Sequence, residues 1–118
     1  MQKTDLQSYA LNEVIYISNR NRFEKLLKKD ILYIEAQGAY VDIYAISGKK
    51  NLSTHLKSFL SQIGDTTFIQ VSRKHAVNII HIQEILSDSI IIDKQVISTS
   101  KMYRNNLLEK LPIIRSKP

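Results

Sequence analysis

Residues 68–85 read FIQVSRKHAVNIIHIQEI, two apolar runs interrupted by a polar knot of Ser72, Arg73, Lys74 and His75. Val71 ahead of the knot and Ala76, Val77, Ile79, Ile80 and Ile82 behind it can anchor in a core, which leaves the knot as a short tip on a rigid stem. Such a tip is a contact device. From Ile43 to Gln83 the only acidic residue is Asp65, so little in that stretch offsets the field of Arg73 and Lys74, and an anion is the expected partner.

Upstream of this stretch the pattern has helical period. Leu56, Phe59, Leu60 and Ile63 fall at i, i+3, i+4 and i+7, Ser53 or Thr54 can cap the start, and Gly64 suits the left-handed residue that closes a helix. Earlier still the period is two. In Tyr40 to Ile46, Val41, Ile43 and Ala45 share one face and Tyr40, Asp42 and Tyr44 the other, where Asp42 is expected to face water. Ser47-Gly48 turns this strand into Lys49 to Leu52, Gln37-Gly38 separates it from Ile31 to Ala36, and the turn at residues 19–22 joins Val14–Ser18 to Phe23–Leu27.

Downstream, Ile79 to Gln83 suits a brief helical turn. Ile85–Ser87, Ile90–Asp93 and Val96–Ser98 read as short strands separated by Asp88-Ser89 and Lys94-Gln95. Ser98, Thr99 or Ser100 then caps a last helix that turns Tyr103, Leu107 and Leu111 inward and stops at Pro112. Many short strands with one or two short helices make the chain mainly β.

Composition bounds the function. The 118 residues are 43% hydrophobic and 24% charged, enough for one domain with a core, and 3 Gly with 2 Pro leave no low-complexity tract. With 17 Lys and Arg against 11 Asp and Glu the formal charge is +6, a bias that suits nucleic acid or another anionic surface. The absence of cysteine excludes disulfides and thiolate chemistry, and no apolar run approaches the roughly 20 residues of a membrane span. A cytoplasmic protein without a membrane partner is expected. His55, His75 and His81 lack metal-site spacing, the glycine-rich phosphate motifs are missing, and Glu35 with Asp42 is the one carboxylate pair worth weighing for catalysis. No enzyme, cofactor or metal is expected.

The signal lies instead in three basic or polar places. At the tip, Arg73 presents a planar fork able to hold two acceptors on a phosphate or on guanine, Lys74 is a mobile point charge, and Ser72 and His75 add hydrogen-bonding groups. A solvated turn that protects a sheet edge is the alternative. Residues 94–108 contain Lys94, Lys101 and Arg104 and no acid; cations at a helix start oppose the helix dipole, a conflict tolerated where function requires it. An ordinary solvated helix face is the other reading. The loop Gln37-Gly38-Ala39-Tyr40 offers a close backbone approach and the Tyr40 hydroxyl and ring, or else half-buried strand packing.

These residues resemble the LytTR family of DNA-binding domains. The resemblance is carried by Tyr33-Ile34-Glu35-Ala36, Gly38, Tyr40-Val41, a short helix, then Phe68, Val71, Arg73, Val77-Asn78, Ile82 and Ile85, and finally Ser100 and Tyr103. It spans about Val14 to Leu111. It implies several small antiparallel sheets packed together, with loops entering successive major grooves of double-stranded DNA and pairs of domains binding direct repeats in bacterial promoters. Carried over residue by residue, base contacts fall on Tyr40, Arg73 and Lys101, and Ser72, Lys74, Lys94, Arg104, Lys49 and Lys50 are left for the DNA backbone. Gln70 stands where Arg is common, Ser72 where His is, Lys74 where Ser is and Lys101 where Arg is, so the resemblance leaves the target sequence open. Asn78 is expected to satisfy backbone groups near the tip.

The chain thus divides into an N-terminal tail or linker stub at 1–12, a DNA-binding domain at 13–112 and a C-terminal tail at 113–118. In the family such a domain usually follows a phosphoacceptor receiver, for which the residues before Val14 are too few; an output domain cut from a two-component response regulator and a stand-alone regulator both fit. With no apolar heptad to spare, a monomer that pairs with a second copy only on DNA is expected. Two other classes stay open: an RNA or other anionic-ligand module, for which no Trp and 3 Phe supply few stacking rings, and a protein-interaction domain.

Overall fold

Alternating apolar residues fold into short strands joined by tight turns over residues 13–117, which the computed structural model describes. The tail expected at 1–12 lies outside the described residues. β1 (Val14–Asn19) and β2 (Arg22–Leu27) form a hairpin. β3 (Ile31–Gln37), β4 (Tyr40–Ala45), β5 (Gly48–Leu52), β6 (Phe68–Gln70) and β7 (His75–Asn78) form a five-stranded antiparallel sheet in the order β5-β4-β3-β7-β6. β8 (Ile82–Ile85), β9 (Ser89–Ile92) and β10 (Gln95–Ser98) form a third, three-stranded sheet. Among the described residues two helices, α1 (Leu56–Ile63) and α2 (Lys101–Glu109), complete the mainly β architecture of small packed sheets.

The five-stranded sheet is a wall between two cores. On one face Ile34, Val41, Ile43 and Ala76 meet Ile17 and Leu26 of the hairpin and Leu56 and Phe59 of α1. On the other, Tyr33, Ile69, Val71 and Val77 meet Ile90, Ile92, Ile97 and Leu107. The period of two in β3, β4 and β7 is what sends alternate side chains to opposite cores. A register irregularity between Ile31 and Tyr33 lets Leu32 and Tyr33 both pack toward the second core.

Four expectations are corrected. Asp42 does not face water: it is only 5% exposed, because both faces of β4 are covered, and its carboxylate accepts from Asn51 Nδ2 at 3.3 Å with Lys49 Nζ 4.0 Å away. A buried charge needs such partners. Neither Ser53 nor Thr54 caps α1; His55 occupies the cap position without a side-chain hydrogen bond, although Gly64 closes the helix in the left-handed region at φ 56° as expected. Ile80 does not anchor the stem, since the 3-10 turn Ile79–His81 leaves it 61% exposed while Ile79 and Ile82 pack on the second core. Asn78 is structural and 1% exposed, but its side chain donates to the carbonyls of Ile31 (2.9 Å) and Lys28 (3.3 Å) and accepts from Ile80 N, so it fastens the start of β3 rather than the tip. No described helix is long and apolar enough to cross a membrane.

Candidate nucleic-acid interface

The tip between β6 and β7 is built from its own backbone. Val71 and Ser72 N–H donate to the His75 carbonyl at 2.9 and 3.3 Å, closing a turn that leaves Arg73 and Lys74 exposed. Val71, Ala76 and Val77 at its base are fully buried, so the stem is anchored in both cores. Two bonds tie the tip to its neighbours. Ala36 N–H donates to the Lys74 carbonyl at 2.7 Å, and the Thr99 hydroxyl donates to the Val71 carbonyl at 2.6 Å.

Those two ties bring the three suspected places to one end of the molecule. Just past Ala36, β3 ends at Gln37 and turns through Gly38, whose φ of 63° a side chain would strain, into Tyr40, 40% exposed at the start of β4. Just past Thr99, α2 starts with exposed Lys101 and no acid in its first turn. A concavity lined by Ser72, Arg73, Ser98, Ser100, Met102 and Tyr103 joins the tip to that helix start. Arg73, Lys74 and Lys101 form no ion pair with any other described residue.

The other expected backbone contacts are partly engaged or lie elsewhere. Arg104 is half-buried, and its Nε donates to the Leu86 carbonyl at 2.7 Å, fastening α2 to the third sheet. Lys94 sits in the β9–β10 turn, where Asp93 and Lys94 both have positive φ (48° and 66°). Asp93 lines a groove with Ala45 and Ile46, at the opposite end of β4 from Tyr40, so the turn that carries Lys94 lies away from the tip's end. Lys49 lies beside Asp42 and 5.9 Å from the Tyr44 ring centre, and half-buried Lys50 pairs with Glu24 at 3.8 Å.

Sequence reading missed one participant. Glu35 faces His75 across β3 and β7, and its Oε2 lies 3.2 Å from His75 Nε2 while Oε1 accepts from Gln37 Nε2 (3.1 Å) and the Tyr44 hydroxyl (3.3 Å). Burial, reinforced by Glu35, pushes the Tyr44 hydroxyl up to about 12 and raises Tyr33, whose ring stacks on Tyr44 at 4.5 Å. Burial also lowers His75 below the ordinary histidine value, against the pull of Glu35. Glu35 sits 40 residues before His75, and only the sheet register joins them.

A family model described as the LytTr DNA-binding domain matches residues 21–112. Among curated proteins nothing matches. Among solved structures the chain is similar to one described as the LytTr DNA-binding domain of a methyl-accepting/DNA response regulator from Bacillus cereus, with a TM-score of 0.69 and 18% identity over 82% of this chain and 94% of that one. At that identity the likeness is one of fold. The family match spans most of the chain, including the tip, the Tyr40 loop and α2, and the chain therefore belongs to the LytTR family of DNA-binding domains.

Proposed function

We propose that this domain recognises a specific double-stranded DNA sequence as the output of a bacterial transcription regulator in the cytoplasm, with residues 13–112 as the binding unit. The Tyr40 loop, the Arg73 tip and the Lys101 end of α2 enter successive major grooves, and Lys74 holds the phosphate backbone beside them. The observation that carries this reading is the convergence of these three places at one end, held by the Ala36–Lys74 and Thr99–Val71 hydrogen bonds, with Arg73, Lys74 and Lys101 unpaired among the described residues. Selection of bound sequences from a random duplex pool, followed by footprinting, tests it: enrichment of one motif, repeated in direct orientation, is the expected result. Failure to enrich any duplex sequence would overturn it.

The two cations of the tip separate by chemistry. Arg73 can fork onto both acceptors of a guanine, whereas Lys74 can only approach a phosphate as a point charge. Arg73→Ala is expected to cost about 1 to 3 kcal/mol on the selected site and to relax preference at one or two positions, while Lys74→Ala weakens all duplexes alike. Titrations on the selected and a scrambled duplex, with thermal melts as folding control, check this. Equal losses on both duplexes for Arg73→Ala would make the tip a clamp without specificity.

Off DNA the domain is expected to sediment as a monomer and to pair with a second copy on adjacent repeats. The apolar faces of its two described helices are committed to the cores through Leu56, Phe59 and Leu107. A tight dimer without DNA would contradict this.

A further inference from the structure

The polar side chains behind the tip form a directional chain. A carboxylate only accepts hydrogen bonds, so the 3.2 Å contact between Glu35 Oε2 and His75 Nε2 places the ring proton on Nε2. In the neutral ring Nδ1 is then an acceptor, and the Ser72 hydroxyl 3.1 Å away must donate to it. With its hydrogen so directed, Ser72 Oγ turns both lone pairs to the tip, where it accepts from the N–H groups of His75 (3.1 Å) and Lys74 (3.3 Å). Every donor and acceptor in the chain has one role. The residue enclosed by this clamp is Arg73.

We propose that Glu35 and His75 are positioning residues for sequence reading, the carboxylate setting the imidazole, the imidazole setting the Ser72 hydroxyl, and that hydroxyl holding the tip backbone so that Arg73 meets the base edge in one geometry. This rests on the DNA-reading function proposed for the tip. The bidentate fork of an arginine discriminates only when its Cα is fixed, since a tip that rocks presents the same charge to every base pair. The chain therefore governs specificity and leaves the electrostatic part of the affinity, carried by Arg73 and Lys74 themselves, in place.

Protonation of His75 would break the arrangement. Nδ1 would become a donor aimed at an Oγ whose two lone pairs already hold backbone N–H groups, so one tip bond must open. Around the ring stand Glu35 and Tyr33 on β3, Tyr44 on β4, and Lys74 within the tip; Glu35 favours the charged ring, burial and Lys74 oppose it, and the result is a lowered value. The sign follows: the neutral ring's contribution is complete above the ordinary histidine value near 6.5 and is lost as pH falls from there through the lowered folded-state value. Specificity should fall in that window.

The test measures affinity for the selected duplex and a scrambled duplex from pH 8 down to pH 5 or so, for the intact chain and for His75→Phe, Ser72→Ala, Glu35→Leu and Glu35→Gln, with thermal melts throughout. The wild type should lose roughly tenfold in the ratio of the two affinities as pH falls. His75→Phe, Ser72→Ala and Glu35→Leu should start with the ratio already lowered and show little further change, and Glu35→Gln, which keeps an acceptor oxygen, should retain most of it. Imidazole nitrogen resonances should show His75 as the Nε2–H tautomer at pH 8, a readout independent of whether any variant folds. A ratio unmoved in folded variants, a wild-type ratio that holds while the resonances show His75 protonating, or the Nδ1–H tautomer would overturn the positioning role. A wild type with no preference between duplexes at any pH would instead remove the DNA-reading function on which it rests.

Discussion

Raising monovalent salt from about 50 to about 200 mM should weaken binding to the selected duplex on the order of a hundredfold per domain. The expectation comes from counting cations. Arg73, Lys74 and Lys101 are exposed and unpaired among the described residues, and Arg104 keeps its terminal nitrogens for a phosphate although its Nε is bonded to Leu86. Roughly four displaced counterions give a slope near −3.6 in log K against log salt. Lys49 and Lys50 add little, since breaking their pairs with Asp42 and Glu24 offsets what a phosphate would give. Titrations at several salt concentrations on selected and scrambled duplexes check the slope. A slope near zero would remove backbone contact from the mechanism, and one steeper than about −6 would show that cations outside the tip's end take part.

Leu107→Ala should destabilise the domain by about 2 to 5 kcal/mol. Leu107 is fully buried, the one such residue of α2, among Val71, Val77, Ile90 and Ile97 of the second core. A helix of nine residues is not stable alone, so its attachment depends on that side chain, helped by the Arg104 bond to Leu86. The midpoint of thermal unfolding should drop by roughly 4 to 8 °C per kcal/mol. Ile43→Ala in the first core should cost a similar amount, yet α2 would stay seated, so at matched fractions folded the Leu107 variant should bind the selected duplex more weakly. Equal binding by the two would show that α2 does not present Lys101 to DNA.

Much of the architecture was readable because β3, β4 and β7 obey a period of two and α1 a period of 3.6, signals that survive without knowledge of neighbours. The exposure of the candidate places was readable for a related reason: Arg73, Lys74 and Lys101 interrupt apolar patterning that needs no such charge. What failed depended on register. Asp42 looks solvent-facing by alternation alone, and nothing in the sequence says that the other face of β4 is also covered. Glu35 is 40 residues from His75, and its role exists only because β3 and β7 pair with those two opposite. The surroundings of Lys49, Lys50 and Lys94 were hidden by the same route, since charge was visible but not the acid beside Lys49 and Lys50 or the end of the sheet on which Lys94 falls.

The central sheet, with a core on each face, separates what must stay constant from what can vary. Tyr40 opens β4, Lys101 opens α2 and Arg73 lies in the turn between β6 and β7, and none of them contributes to either core. Their replacement leaves the packing of Ile34, Val41, Val77 and Leu107 untouched. Under the proposed function, a domain of this design can be retargeted one fingertip at a time, each exchange altering the DNA sequence read while the same frame continues to fold.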